Sequence, residues 1–233
     1  MIIIGLTGYK GSGKTSAAEV LVEDHGFTEV TFAGPLKRMV RNFNPIVGWE
    51  PDGSCSCGEC GLQGSDIYLS DLYNWGFDDE DIKMSIYGDV VRGYHERFGT
   101  EVMRAEDPNY WIRQAARTIE AEFLQGTKGI VVSDIRFPNE AEFIYAYNRI
   151  GHTASVWNVM REEAIPEEGE PRHSSEAYAG RLDEGITIVN DGSFEELAVT
   201  VATALDVTMS SSRGSLYDLI DMLATTEGTD GEE

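Results

Sequence analysis

The chain has 233 residues, 41% hydrophobic and 25% charged, which is enough for one large α/β domain with a full core. Its net charge of -23 excludes a general duplex-binding surface, because phosphate contacts need clustered Lys and Arg. No apolar run approaches the ~20 residues of a membrane span, and the short apolar start lacks the basic flank of a signal peptide, so a cytoplasmic protein with no nucleic-acid or membrane partner is expected.

Ile2-Ile3-Ile4-Gly5-Leu6 reads as a buried parallel strand that ends in a glycine-rich loop. Thr15 to His25 reads as a helix with Ala18, Leu21, Val22 and His25 on one face and Gly26 as its stop. Phe27 to Ala33 is an expected strand, and Pro35 opens a short helix through Arg41. Residues 44–65 hold Pro45, Pro51, several glycines and all three cysteines, and read as a surface insertion. Helices are expected over Leu69–Trp75, Asp79–Phe98 and Pro108–Leu124, then a buried strand Gly129–Asp134 with an acid at its end. A helix over Asn139–Ile150 and a strand over Thr153–Val159 follow. Residues 161–183 are polar and rich in Glu, Arg and Pro, the composition of a mobile lid. A last strand, Ile186–Val189, precedes a helix, Phe194–Leu205.

Strands alternating with helices predict a three-layer α/β fold: a parallel central sheet with helices on both faces. Residues 1–207 read as one domain and 208–233 as an appendage. Ser210-Ser211-Ser212 reads as a linker, Leu216, Leu219, Ile220 and Leu223 as one face of an amphipathic helix, and the end as an acidic tail. That apolar face is a candidate docking surface, on the domain itself or in a homodimer.

The spacing Gly8-x4-Gly13-Lys14-Thr15, between an apolar strand and a helix, is the context of a phosphate-binding loop. Glycines let successive N–H groups turn inward at phosphate oxygens, and the helix adds its positive dipole end. The expected ATP contacts are Gly8, Lys10, Gly11, Ser12, Gly13, Lys14, Thr15 and Ser16. Lys14 would reach the β- and γ-phosphates and the Thr15 hydroxyl would ligate Mg²⁺. Asp134, closing its strand, reads as a second magnesium contact, or else as a turn residue. Arg136 would point into the crevice at the strand ends, where ligands of open α/β sheets bind.

A phosphate loop does not name a reaction. Arg92, Arg97, Arg104, Arg113 and Arg117 crowd one stretch of an acidic chain, which suggests an anion site, although at least two should only pair on helix surfaces. The lid segment adds Arg161, Arg172 and Arg181. If the acceptor is a phosphate, its oxygen is already ionised (second pKa ~6), and cations rather than a general base are required. An arginine-rich site without an obvious base fits that chemistry.

Several blocks in this order carry a resemblance: Phe32-Ala33-Gly34-Pro35-Leu36-Lys37, Arg92 with Phe98-Gly99-Thr100-Glu101-Val102-Met103-Arg104, and Asp107-Pro108-Asn109-Tyr110-Trp111. Ser133 to Glu140, His173-Ser174-Ser175-Glu176 and Val189-Asn190-Asp191-Gly192 complete them. With the phosphate loop, they make residues up to about 205 resemble the deoxynucleoside monophosphate kinases of tailed bacteriophages. The resemblance implies a P-loop kinase fold and transfer of the ATP γ-phosphate to a deoxynucleoside monophosphate, in the host cytoplasm if the chain is phage-encoded. It implies that Lys37, Arg92, Thr100, Glu101, Arg104, Trp111, Asp134, Arg136 and Glu140 line the acceptor site, and that Arg161 and Arg172 act from the lid. Trp111 could stack on a base or belong to the core, and Lys37 could bind phosphate or be solvated. The alternatives are another small-molecule P-loop kinase, such as dephospho-coenzyme A kinase, and a P-loop ATPase or switch.

Cys55, Cys57 and Cys60 lie outside the resemblance. An odd, clustered set is not a disulfide framework. An inert loop is the favoured reading, ahead of a structural zinc, which lacks a fourth ligand nearby, and ahead of redox sensing.

Overall fold

The computed structural model describes residues 1–51, 64–166, 178, 182 and 185–226, the stretch 212–226 as backbone. In chain order the strands are β1 (Ile2–Thr7), β2 (Thr28–Val30), β3 (Ile46–Pro51), β4 (Gly64–Tyr68), β5 (Gly129–Val132), β6 (Thr153–Met160) and β7 (Ile186–Val189). The helices are α1 (Lys14–Glu23), α2 (Ala33–Phe43), α3 (Leu69–Asn74), α4 (Asp79–Met84), α5 (Gly88–Glu96), α6 (Tyr110–Leu124), α7 (Pro138–Ala146) and α8 (Phe194–Thr226). The chain forms two compact units, Met1–Thr31 with Ala116–Glu233, and Phe32–Ala115.

The first unit is built on a parallel sheet of five strands among the described residues, in the order β2-β5-β1-β6-β7. The period of two along a strand sends alternate side chains to opposite faces. Ile4 and Leu6 of β1, Val131 of β5, and Trp157 and Val159 of β6 pack with Ala17, Ala18 and Leu21 of α1 and with Leu197, Val201 and Leu205 of α8. Gly5 faces the other way, where Ile135, Ile144 and Val156 close over it so tightly that a methyl group would collide with Ile135. The parallel sheet between helices matches the α/β expectation. Two boundaries move: β2 is only Thr28–Val30, with Ala33 already in α2, and the tail of the expected Asn139–Ile150 helix tightens into a 3-10 turn over Tyr147–Ile150.

The C-terminal linker is a correction. Ser210–Ser212 lie within α8, which runs unbroken from Phe194 to Thr226. The hydroxyls are absorbed by the helix: Ser211 Oγ donates to the Val207 carbonyl at 2.9 Å and Thr208 Oγ1 to the Ala204 carbonyl at 2.9 Å. Thr208 also accepts from the buried Trp157 Nε1 at 3.2 Å, pinning α8 to the sheet. The apolar positions from Leu216 to Leu223 have side chains outside the described residues, as have the acidic end and the cysteines Cys55, Cys57 and Cys60. No helix among the described residues is long and apolar enough to cross a membrane.

In the second unit α2 ends at Asn44, which takes a left-handed φ of 50° and accepts from Ser70 N–H at 2.7 Å. The flanks of the expected insertion are more ordered than the composition suggests, since β3 and β4 pair as an antiparallel hairpin. The single helix expected over Asp79–Phe98 is broken. Ser85 is extended, its hydroxyl donates to the Ile82 carbonyl at 2.7 Å and accepts from Tyr87 N–H at 3.1 Å, so the side chain competes for backbone groups and ends α4. After α5 the chain widens into a π-helix over Arg97–Arg104, the block quoted above.

Candidate functional site

The loop after β1 is shaped by three left-handed glycines, Gly8 (φ 144°), Gly11 (φ 82°) and Gly13 (φ 95°). A side chain at Gly8 would also collide with the Val159 carbonyl of β6. The Lys14 ammonium folds over the loop and donates to the carbonyls of Gly8 at 2.8 Å and Tyr9 at 2.7 Å. Lys14 opens α1, whose first turn closes with Ala17 N–H to the Gly13 carbonyl at 2.9 Å. The first N–H groups of any helix have no partner within it, and with the dipole they make such an end electropositive. Lys10, Gly11 and Thr15 are exposed, Ser16 is half-buried, and Ser12 is buried.

β5 sits beside β1, and its end is stitched to it by Ile135 N–H donating to the Leu6 carbonyl at 3.1 Å. This holds half-buried Asp134 and exposed Arg136 at the carboxyl edge of the sheet from which the glycine loop springs. Glu140 is buried, and its Oε2 accepts from Arg136 N–H at 2.7 Å and Phe137 N–H at 3.0 Å. It closes the first turn of α7 behind Pro138 and fixes the backbone that carries Arg136. That role was legible: Pro at the first helical position with Glu two residues on is a helix-start signature.

Beyond β6, Arg161 opens a short 3-10 turn, Glu162–Ala164, and its Nε lies 3.6 Å from Glu163 Oε2. Lys10, Gly11, Arg161, Glu163 and Ala164 line a cavity of about 330 Å³. Arg161 and Lys10 thus line the same cavity. Arg172, His173, Glu176 and Arg181 lie outside the described residues, and with them most of the expected lid.

In the second unit, exposed Lys37 stands 3.6 Å from Asp79. Arg41, one turn on, pairs with the same carboxylate, donates to Tyr73 Oη at 2.9 Å, and lies over the Tyr73 ring at 4.7 Å. Tyr73 Oη donates to Asp79 at 2.8 Å. Burial pushes the Asp79 pKa up, but the hydrogen bonds from Arg41 and Tyr73 outweigh it and leave it below the usual aspartate value. Of the five arginines, Arg97 pairs with Glu101 at 3.9 Å and Arg113 with Asp107, so Glu101 has a partner on its own turn. Arg92 is exposed; Thr100 and Arg104 are half-buried. Trp111 is only 5% exposed, and its Nε1 donates to the Gly99 carbonyl at 2.9 Å, inside the π-helix. It takes the core alternative and offers no open face to a base.

Among the described residues no three His, Cys, Asp or Glu side chains group as metal ligands. Magnesium on a nucleotide needs fewer, since phosphates and water supply most of its oxygens. A Thr15 hydroxyl and an Asp134 carboxylate are hard oxygen donors of the right kind.

No family model matches the chain. It is 28% identical over 221 residues to a protein of Acanthamoeba polyphaga mimivirus named "Putative deoxynucleotide monophosphate kinase", a match spanning 88% of this chain and 97% of that one. Similarity of this extent takes in residues of both compact units.

Proposed function

We propose that the protein transfers the γ-phosphate of ATP to a deoxynucleoside monophosphate, giving the diphosphate. The observation that carries this reading is the strand, left-handed glycine loop and helix of Ile2–Glu23 with Lys14 folded over the loop. The near full-length similarity to the mimivirus protein supports the choice of acceptor.

The chemistry assigned to the chain is mostly positioning. Lys14 exchanges the Gly8 and Tyr9 carbonyls for phosphate oxygens of the donor. Thr15 and Asp134 would hold magnesium, which supplies positive charge against the phosphates when bound. Arg136 holds the acceptor phosphate against the transferring group, whose charge it balances with Arg161 and Arg172, and Glu140 keeps the Arg136 backbone in place. Lys37, Arg92, Thr100, Glu101 and Arg104 are assigned to the acceptor. No side chain has to remove a proton, because the attacking phosphate oxygen is ionised near neutrality.

The test is one assay: Mg²⁺ and ATP with each ribo- and deoxynucleoside monophosphate in turn, measuring ADP. Acceptor-dependent turnover with at least one deoxynucleotide is expected. Its absence with every acceptor rules the proposal out, and ATP hydrolysis stimulated by DNA without an acceptor would favour a translocase or switch.

A further inference from the structure

The corner between β7 and α8 grips the phosphate loop and the root of the segment after β6 at once. Asn190 is buried, and its N–H donates to the Met160 carbonyl at 2.8 Å, extending the ladder to β6. Its side-chain Nδ2 donates to the Ser12 carbonyl at 3.0 Å and sits so close above Gly13 that a methyl group there would collide with it. In a trans peptide the carbonyl and the following N–H point in opposite directions. Holding the Ser12 carbonyl on Asn190 therefore fixes the direction of the Gly13 N–H. Asp191 reaches the other way, its Oδ1 accepting from Glu162 N–H at 2.8 Å. That N–H begins the turn that brings Arg161 and Ala164 to the cavity shared with Lys10 and Gly11.

We infer that Asn190 and Asp191 are positioning residues for the donor phosphates: Asn190 keeps the Ser12–Gly13 peptide from turning its carbonyl toward the anion, and Asp191 sets Arg161 against the same loop. The ligand rests on the ATP reading above; the brace itself does not. A carbonyl swung into a phosphate cradle replaces a donor by a repelling oxygen, so the amide at position 190 acts on binding through the backbone it holds.

The experiment compares Asn190→Asp, which keeps shape but loses the donor, with the wild type. In the ligand-free protein, amide exchange over Gly11–Thr15 should quicken about tenfold while Ile130–Val132 stays unchanged. The Kd for Mg–ATP should rise about tenfold, with the acceptor KM within about twofold. Asp191→Ala should weaken Mg–ATP about threefold, and Asp191→Asn, which keeps an acceptor oxygen, should restore it. Unchanged exchange in the loop, or equal loss for both substrates, overturns the inference. Should Asn190→Asp not fold, Asn190→Ser, too short to reach Ser12, gives the same readouts. A wild type that does not bind Mg–ATP defeats the kinase reading alone, since the exchange measurement still decides whether the corner sets the loop.

Discussion

The two compact units hold their polar chemistry in opposite ways. In the unit of Met1–Thr31 and Ala116–Glu233, the working groups sit on loops closed by bonds to backbone carbonyls: Lys14 on Gly8 and Tyr9, Ile135 on Leu6, Asn190 on Ser12. In Phe32–Ala115, the charged groups are held by one another on helix surfaces: Lys37 and Arg41 on Asp79, Arg97 on Glu101, Arg113 on Asp107. Surface ion pairs contribute little, about 0–1 kcal/mol each. A substitution in the first unit should therefore damage ligand geometry with the fold intact. In the second, a charge can be lost cheaply, and the expensive positions are buried.

The largest expected effect tests the first half of that contrast. Lys14→Ala should lower turnover about a thousandfold, because in the proposed reaction the side chain balances charge that grows on the transferring phosphate. It removes two part-buried hydrogen bonds within the loop, to the Gly8 and Tyr9 carbonyls, so the thermal midpoint should fall only slightly, by the equivalent of about 1–2 kcal/mol. Turnover above a tenth of the wild type, measured as ADP released, would break the assignment.

Trp111→Ala tests the second half. Removing a ring that is 5% exposed should cost about 3–5 kcal/mol in urea unfolding. Trp111→Phe keeps most of the apolar contact but strips the Gly99 carbonyl of its donor, for about 1–2 kcal/mol. A Trp111→Phe protein of full stability but weakened acceptor binding would return the ring to the ligand.

Arg136→Ala should be milder. It is exposed, and its backbone N–H donates to Glu140. The acceptor KM should rise about tenfold with the ATP KM unchanged. Equal loss on both substrates would show that Arg136 does not serve the acceptor in particular.

What could be read from the sequence follows the range of the interactions. The glycine loop was legible because left-handed glycines, the apolar run Ile2–Leu6 and Lys14-Thr15 are contiguous. So was β5, an unbroken apolar stretch that stops two residues before Asp134. The break at Ser85 was not, because serine is tolerated in helices and only its bonds to Ile82 and Tyr87 end this one. Ser210–Ser212 misled in the opposite direction, since hydroxyls bonded back into α8 do not interrupt it. The hairpin of β3 and β4 was hidden by the glycines and prolines between and around its strands. The Asn190–Ser12 bond spans 178 positions, and no local pattern announces it.

The smallest effect separates the charged surface of the second unit from the half-buried His95 beside it. His95 has its pKa lowered, first by burial and then by the positive Lys37, with Asp79 opposing and Arg41 adding to Lys37. Folding therefore prefers the neutral ring. Its contribution is fully present above the unfolded value of 6.5 and is lost as pH falls from there through the lower folded value. Asp79, also lowered, keeps its contribution down to its own unfolded value of 3.8, and loses it only in stronger acid. The wild type alone cannot display the histidine step cleanly. A chain of net charge -23 gains stability as acid relieves its self-repulsion, with the opposite sign. His95→Gln shares that repulsion but lacks the titration. The difference in urea midpoint between wild type and His95→Gln should therefore be flat above pH 7 and move against the wild type as pH falls below 6.5. A difference constant from pH 7.5 to pH 5 would mean that His95 protonates as readily folded as unfolded, and that Lys37 and Arg41 are held clear of it by Asp79.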